Sequence, residues 1–285
     1  MKALRTVADV RGYIRTLPRG GFTALVPTMG ALHDGHIALF AAARVECRHV
    51  LGTIFVNPGQ FNDPADFAAY PRDETRDLEI AASAGVDAVF IPAVEEIYPP
   101  GDATTVRVQG AAVGFEGSFR PGHFDSVATV CLKLFNIVAA DVVYFGQKDA
   151  QQVAVIRQLI RDLHLSLQLQ VVATVRDDDG VALSSRNTRL SPEERERARS
   201  IPRALLAGLA AHANGGDPVT AARGLLTDVD VEYVDVARFN GQPTLVIAAR
   251  VGKTRLIDNA PLDRPALAGF AEDGRSNLRG TGRYD

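Results

Sequence analysis

Phe22-Thr23-Ala24-Leu25-Val26 is a short apolar run that stops at Pro27. Thr28-Met29-Gly30-Ala31-Leu32-His33-Asp34-Gly35-His36 then carries the chain into Ile37–Val45, whose apolar residues suit a helix. A buried strand, a glycine-containing turn and a helix form the repeating unit of a parallel α/β sheet, and the pattern recurs outward from this stretch. Val50–Val56 is a second buried run, followed by a helical pattern over Glu74–Ala84 that Gly85 closes. Val86–Ile91 reads as a third strand, Phe124–Ala139 as a long apolar helix and Val142–Phe145 as a fourth strand. Lys148–Leu163 follows as a helix and Leu167–Val175 as a fifth strand. Near-continuous apolar strands separated by helices predict a doubly wound, Rossmann-like parallel sheet covered on both faces.

After Val175 the composition changes. Arg176-Asp177-Asp178-Asp179-Gly180 is a charged turn, and Ser191-Pro192-Glu193-Glu194 opens a long helical pattern that Asn214-Gly215-Gly216 ends. Ser191 suits the N-cap and Pro192 the first helical position, while the two acids favour the helix dipole. Val231–Phe239, Thr244–Val251 and Thr254–Asp258 read as antiparallel strands, with Asn240-Gly241 as a turn. The expected organisation is a Rossmann-like domain over residues 1–175 and a smaller α+β domain over 176–285. The glycine- and arginine-rich tail from Arg264 reads as mobile.

Composition narrows the function. The 285 residues carry 31 basic and 34 acidic side chains, a net charge of −3, so the basic surplus of a nucleic-acid binder is absent. Cys47 and Cys131 are too few for a disulfide framework and lack metal-site spacing, so both are expected as reduced core thiols. The longest apolar stretch, Val127–Ala140, contains Lys133 and falls short of the roughly 20 residues a membrane span requires. Nothing at the N-terminus resembles a signal peptide, and the expected setting is the cytoplasm.

The chemistry concentrates in Pro27–His36. In an open α/β sheet this turn lies at the carboxyl end of its strand, where ligands bind. His33 and His36, three apart at a helix start, point the same way, and Gly30 and Gly35 admit close approach of a ligand. Unsatisfied N–H groups at the helix start are expected to favour an anion, and together these features suit a triphosphate.

The segment resembles the HxGH signature of the nucleotidyltransferase superfamily, and in its PTMGALHxGH form it is similar to the pantothenate synthetases. Further motifs follow in that family's order: Phe55-Val56-Asn57-Pro58-Gly59-Gln60-Phe61, Tyr70-Pro71-Arg72, Arg120-Pro121-Gly122-His123-Phe124, Phe145-Gly146-Gln147-Lys148-Asp149, Gln151-Gln152 and Leu183-Ser184-Ser185-Arg186-Asn187. The resemblance implies ATP-dependent joining of pantoate to β-alanine through a pantoyl-adenylate, in a homodimer acting on small molecules, with no nucleic acid or membrane as partner. It assigns phosphate charge to His33, His36, Lys148, Ser184, Ser185 and Arg186. Met29, Gly30, Gly146, Asp149 and Val175 complete the ATP contacts. Met29, Gln60 and Gln152 take pantoate, with Gln151 a surface candidate. Asn57 and Tyr70 are expected near the pocket floor, and Arg120 and His123 at β-alanine or at a dimer contact. Ser184–Asn187 is a candidate lid over ATP. Mg2+ is the expected metal, with Asp77 at a family acidic position, although Arg76 stands where relatives often carry a second acid.

Two other readings compete. A transferase joining a nucleotide to a phosphorylated acceptor, such as a nicotinamide mononucleotide adenylyltransferase, needs additional cations where this chain has Gln60 and Gln152. A nucleotide-binding protein without turnover fits poorly with retention of His33, His36 and Lys148 together.

Overall fold

The computed structural model describes residues 1–18, 20–239 and 241–263. Asn240 of the expected turn and the tail from Arg264 lie outside them. The chain divides into two compact units. One comprises residues 1–145 and 151–172, and the other Gly146–Ala150 together with the chain from Ala173.

The first unit runs β1 (Lys2–Leu4), α1 (Val7–Thr16), β2 (Thr23–Val26), α2 (Asp34–Glu46), β3 (His49–Thr53), α3 (Pro64–Ala68) and α4 (Glu74–Ser83). It continues with β4 (Ala88–Phe90), α5 (Val94–Ile97), α6 (Phe115–Phe119), α7 (His123–Val138), β5 (Val142–Gly146), α8 (Ala150–Asp162) and β6 (Gln168–Val172). The strands form one sheet in the order β1-β4-β3-β2-β5-β6, with β1, β4, β3, β2 and β5 paired parallel. The doubly wound expectation holds. Successive strand residues point to opposite faces. Leu25, Leu51, Phe90, Val143 and Phe145 join one core with Val10 of α1, Leu134 of α7 and Ile156 of α8. Val26, Val50, Val89 and Tyr144 join the other with Phe40 of α2 and Ala81 of α4.

The sheet gains an edge strand, β1, that the sequence pattern does not reveal. Three residues are too few to show a period, and the parallel partner, β4, is more than eighty positions away. The strand order reverses between β2 and β5, and such switch points are where doubly wound sheets bind ligands. The histidine loop is the segment that leaves β2.

Gln151 corrects an expectation. It is 4% exposed, and its side-chain amide closes the 111–116 loop. Nε2 donates to the carbonyls of Ala111, Val113 and Gly114 at 3.1, 3.2 and 3.1 Å, while Oε1 accepts the Glu116 N–H at 3.0 Å. The Gly114 carbonyl also accepts the Gly117 N–H at 2.9 Å, whereas the Ala111 and Val113 carbonyls and the Glu116 N–H have the glutamine as their partner among the described residues. Gln151→Ala removes every one of these partners in a buried place, and a loss of about 2–3 kcal/mol is expected. The midpoint of denaturant unfolding checks this.

The second unit holds α9 (Pro192–Ala198), α10 (Ser200–Ala213), α11 (Pro218–Arg223), β7 (Asp230–Phe239), β8 (Gln242–Val251) and β9 (Thr254–Pro261). The strands form an antiparallel sheet in chain order, with Leu205, Leu209, Leu245 and Ile247 in its core. Ser191 caps α9 in a reciprocal box with Glu194. The long helix expected from Ser191 is two helices. Pro202 has no N–H to donate to a preceding turn, so it is tolerated where a new helix begins at Ser200.

Both cysteines are free and buried, and burial pushes the Cys131 thiol up to about 12. Among the described residues, no helix is long and apolar enough to cross a membrane.

Candidate active site

The loop after β2 is held by its own backbone amides. Thr28 N–H donates to Thr53 Oγ1 at 3.1 Å, and Gly30 N–H donates to Thr28 Oγ1 at 3.2 Å. Ala31 and Leu32 N–H donate to the two carboxylate oxygens of Asp77 at 2.8 and 2.7 Å. Asp77 is 2% exposed and lies in the first turn of α4, where the helix dipole favours its charge. Gly30 has φ +79°, and a Cβ there would stand 2.8 Å from Asp77 Oδ2 and 3.1 Å from Ile54 Cγ2. Only glycine fits this place. Ala31 also has positive φ, at 50°, so the two Asp77 bonds hold a turn that is costly by itself.

His33 is the N-cap of α2. Its Nδ1 accepts the Gly35 N–H at 3.1 Å, and His36 Nδ1 accepts the His33 N–H at 3.2 Å. This is a capping box built from two imidazoles, whose ring centroids lie 4.1 Å apart. A ring nitrogen that accepts carries no proton. Each neutral imidazole therefore bears its proton on Nε2, and both rings have an N–H donor there. Several of the amides expected to be unsatisfied at this helix start are bonded. Gly35 N–H goes to His33 Nδ1, and His36 and Ile37 N–H both go to the His33 carbonyl.

A second cluster surrounds Gln60. Asn57, 1% exposed, donates from Nδ2 to Gln60 Oε1 at 3.1 Å and accepts the Tyr98 hydroxyl on Oδ1 at 3.0 Å. With its oxygen held this way, Gln60 is left to present its NH2 group as a donor. The Gln60 carbonyl accepts from Arg120 Nη2 at 2.9 Å and from His123 Nδ1 at 3.2 Å. His123 thus carries its proton on the opposite nitrogen from the paired histidines. Arg120 also faces Glu116 at 3.9 Å. Sequence reasoning leaves these two between β-alanine and a dimer contact. The structure gives both a contact on the Gln60 turn. Tyr70 is buried, edge-on to Phe61 at 5.6 Å. Met29 and Gln152 are half-buried.

In the second unit, Gly146 leads into a 3₁₀ turn, Gln147–Asp149. The Lys148 ammonium lies 3.6 Å from Asp149 Oδ1. Asn259 of β9 bonds this turn through both ends of its amide. No local signal marks Asn259, because the contact joins residues more than a hundred positions apart. Ser184 caps a second 3₁₀ turn, Ser185–Arg189, with its hydroxyl accepting the Arg186 N–H at 3.3 Å. Val175 accepts the Leu183 N–H at 2.9 Å. Thr174 Oγ1 and Asn187 Oδ1 are buried without a hydrogen-bond partner among the described residues.

Both Asp77 oxygens already accept loop amides, and no group of three or more His, Cys, Asp or Glu suited to an ion occurs among the described residues.

The profile of the Pantoate-beta-alanine ligase family matches residues 2–261. The chain belongs to the pantoate–β-alanine ligase family. Similar members include the pantothenate synthetase of Cereibacter sphaeroides, 46% identical over 275 residues that cover 91% of this chain and 99% of the relative. The pantothenate synthetase of Moorella thermoacetica is also 46% identical, over 92% of this chain and 99% of the relative. The crystal structure of the enzyme from Thermus thermophilus superposes with a TM-score of 0.87 at 41% identity, covering 92% of this chain and 99% of that one. The ligase from Francisella tularensis, crystallised with Beta-gamma ATP and Beta-alanine, gives a TM-score of 0.82 at 33% identity, covering 93% and 99%. Membership in a single ligase family over this length sets the ligase reading above the transferase and the silent nucleotide binder.

Proposed function

We propose that the protein condenses pantoate with β-alanine at the expense of ATP, through a pantoyl-adenylate. The observation that carries this reading is the imidazole capping box, which bears two Nε2–H donors at the carboxyl end of β2 in a chain of the ligase family.

A carboxylate is a poor acyl donor, because its oxygen leaves badly and its charge repels an amine. In the first step a pantoate carboxylate oxygen attacks the α-phosphorus of ATP. The bond from that phosphorus to the bridging oxygen breaks, and pyrophosphate departs. In the second step the β-alanine amine attacks the carbonyl carbon of the mixed anhydride. The carbon–oxygen bond to AMP breaks, AMP leaves, and the nitrogen loses a proton. Adenylyl transfer asks for alignment and stabilisation of phosphate charge more than for covalent help.

In the first unit, His33 and His36 donate to phosphate oxygens. Met29, Gln60 and Gln152 take pantoate. Amides suit this duty because they hold the nucleophilic carboxylate without neutralising the charge that makes it nucleophilic. Asn57, Arg120 and His123 fix the Gln60 turn, and Tyr70 backs it. In the second unit, Lys148, Ser184, Ser185 and Arg186 supply the remaining phosphate donors. Gly146, Val175 and Asp149 attend to adenosine, Asp149 by accepting from a ribose hydroxyl. Magnesium enters with the nucleotide, the substrate being MgATP. A homodimer and a cytoplasmic setting belong to the same reading and draw on the family resemblance.

The test is pyrophosphate release on purified protein. Release is expected only when pantoate and ATP are both present, with AMP following on addition of β-alanine. No pyrophosphate from pantoate and ATP together overturns the proposal.

A further inference from the structure

We propose that Asn259 is a positioning residue for Lys148, an inference that rests on the assignment of Lys148 to the triphosphate. The amide of Asn259 is 5% exposed, and its whole hydrogen-bonding capacity is turned on one short segment. Nδ2 donates to the carbonyls of Gln147 at 3.0 Å and Lys148 at 2.8 Å, and Oδ1 accepts Gln147 Nε2 at 3.1 Å. A three-residue 3₁₀ turn has little internal bonding with which to hold its own shape. Asn259 supplies that shape from outside and so fixes the backbone from which the lysine side chain departs.

Asn259 is itself held. Its N–H donates to Asp258 Oδ1 at 2.8 Å, and Asp258 pairs with Arg176 through two bonds of 2.6 and 3.0 Å. Both members of this ion pair are buried. The run Arg176–Asp258–Asn259–Lys148 is thus a rigid support reaching from the interior of the second unit to the ammonium's attachment point. Burial and full satisfaction of the amide also describe an asparagine that merely stabilises the fold. The two roles differ in whether loss of Asn259 acts through Lys148.

The experiment compares Asn259→Ala and Asn259→Asp in the full-length protein, each with and without Lys148→Ala. Pantoate-dependent pyrophosphate release gives kcat and KM, and melting reports the fold. Displacing a catalytic group by about 1 Å costs on the order of a hundredfold in rate. The aspartate, which sets a charge against two carbonyl oxygens, is expected to lose about a hundredfold in kcat, and the alanine about tenfold. KM for pantoate should not move. In the Lys148→Ala background neither substitution should lower the residual rate further. Full adenylation by folded Asn259→Ala, beside an inactive Lys148→Ala, overturns the inference, as does an undiminished penalty in the Lys148→Ala background. Wild-type adenylation by Lys148→Ala is a separate result, which removes the assignment of Lys148 itself. Should the aspartate variant not fold, the alanine variant, which brings no charge, carries the same test.

Discussion

Lys148→Ala is expected to lower pantoate-dependent pyrophosphate release by about a hundredfold to a thousandfold, while thermal melting stays near that of the unaltered chain. Lys148 is half-buried, and among the described residues its ionic contact is with the neighbouring Asp149 at 3.6 Å. Losing the ammonium therefore breaks no long-range support of the fold. In the transition state for adenylyl transfer, charge accumulates on the phosphate oxygens, and a positioned cation helps most there. His33→Ala is a less clean probe, because the same ring caps α2, and loss of an N-cap costs about 1 kcal/mol in folding. Steady-state release of pyrophosphate at saturating ATP and pantoate decides the matter. A Lys148→Ala rate close to that of the unaltered chain removes the lysine from the chemistry.

Asp77→Asn is expected to destabilise the protein by about 2–3 kcal/mol, through loss of one acceptor and the setting of an amide NH2 against a backbone N–H. For a chain of this size, that corresponds to a fall in melting temperature of roughly 3–5 °C. The adenylation rate should fall with it, because Ala31 and Leu32, the two amides that Asp77 holds, immediately precede His33. A different result follows if the carboxylate serves mainly as a magnesium ligand. Melting without metal would then be unchanged, and excess magnesium would restore much of the rate. Calorimetric melts in chelator distinguish the two. An unshifted melt would sink the assignment of Asp77 to the loop.

The layers of the fold can be read from the chain because each rests on a local period. Leu25 and Val26 on neighbouring positions fall into opposite cores, as the pleat requires. Ser191 and Glu194 announce a helix start within four residues. The contacts that organise the site have no such period. Asp77 reaches Leu32 across 45 positions, Asn57 meets Tyr98 across 41, and Asn259 meets Lys148 across 111. Each pairs a polar side chain with a distant group, and nothing in the intervening sequence marks the meeting. Composition misleads at Gln151. A glutamine on a helix is ordinarily a surface residue, and the segment leading into α6, whose Ala111 and Val113 carbonyls take the Gln151 amide as their partner, gives this one a buried role. The histidines are legible as a pair but not as a cap, since imidazole is an uncommon N-cap and the reciprocal bonding depends on ring orientation.

The five residues Gly146–Ala150 belong with the chain beyond Ala173, although they are flanked on both sides by the first unit. Neither unit is thus a single uninterrupted length of polypeptide, and no one cut separates them as modules. A fragment ending at residue 172 would keep the lysine and discard the strand whose asparagine seats it. Chimaeras that exchange the C-terminal half between relatives would have to transplant this short insert as well, or match a foreign β9 to it by design.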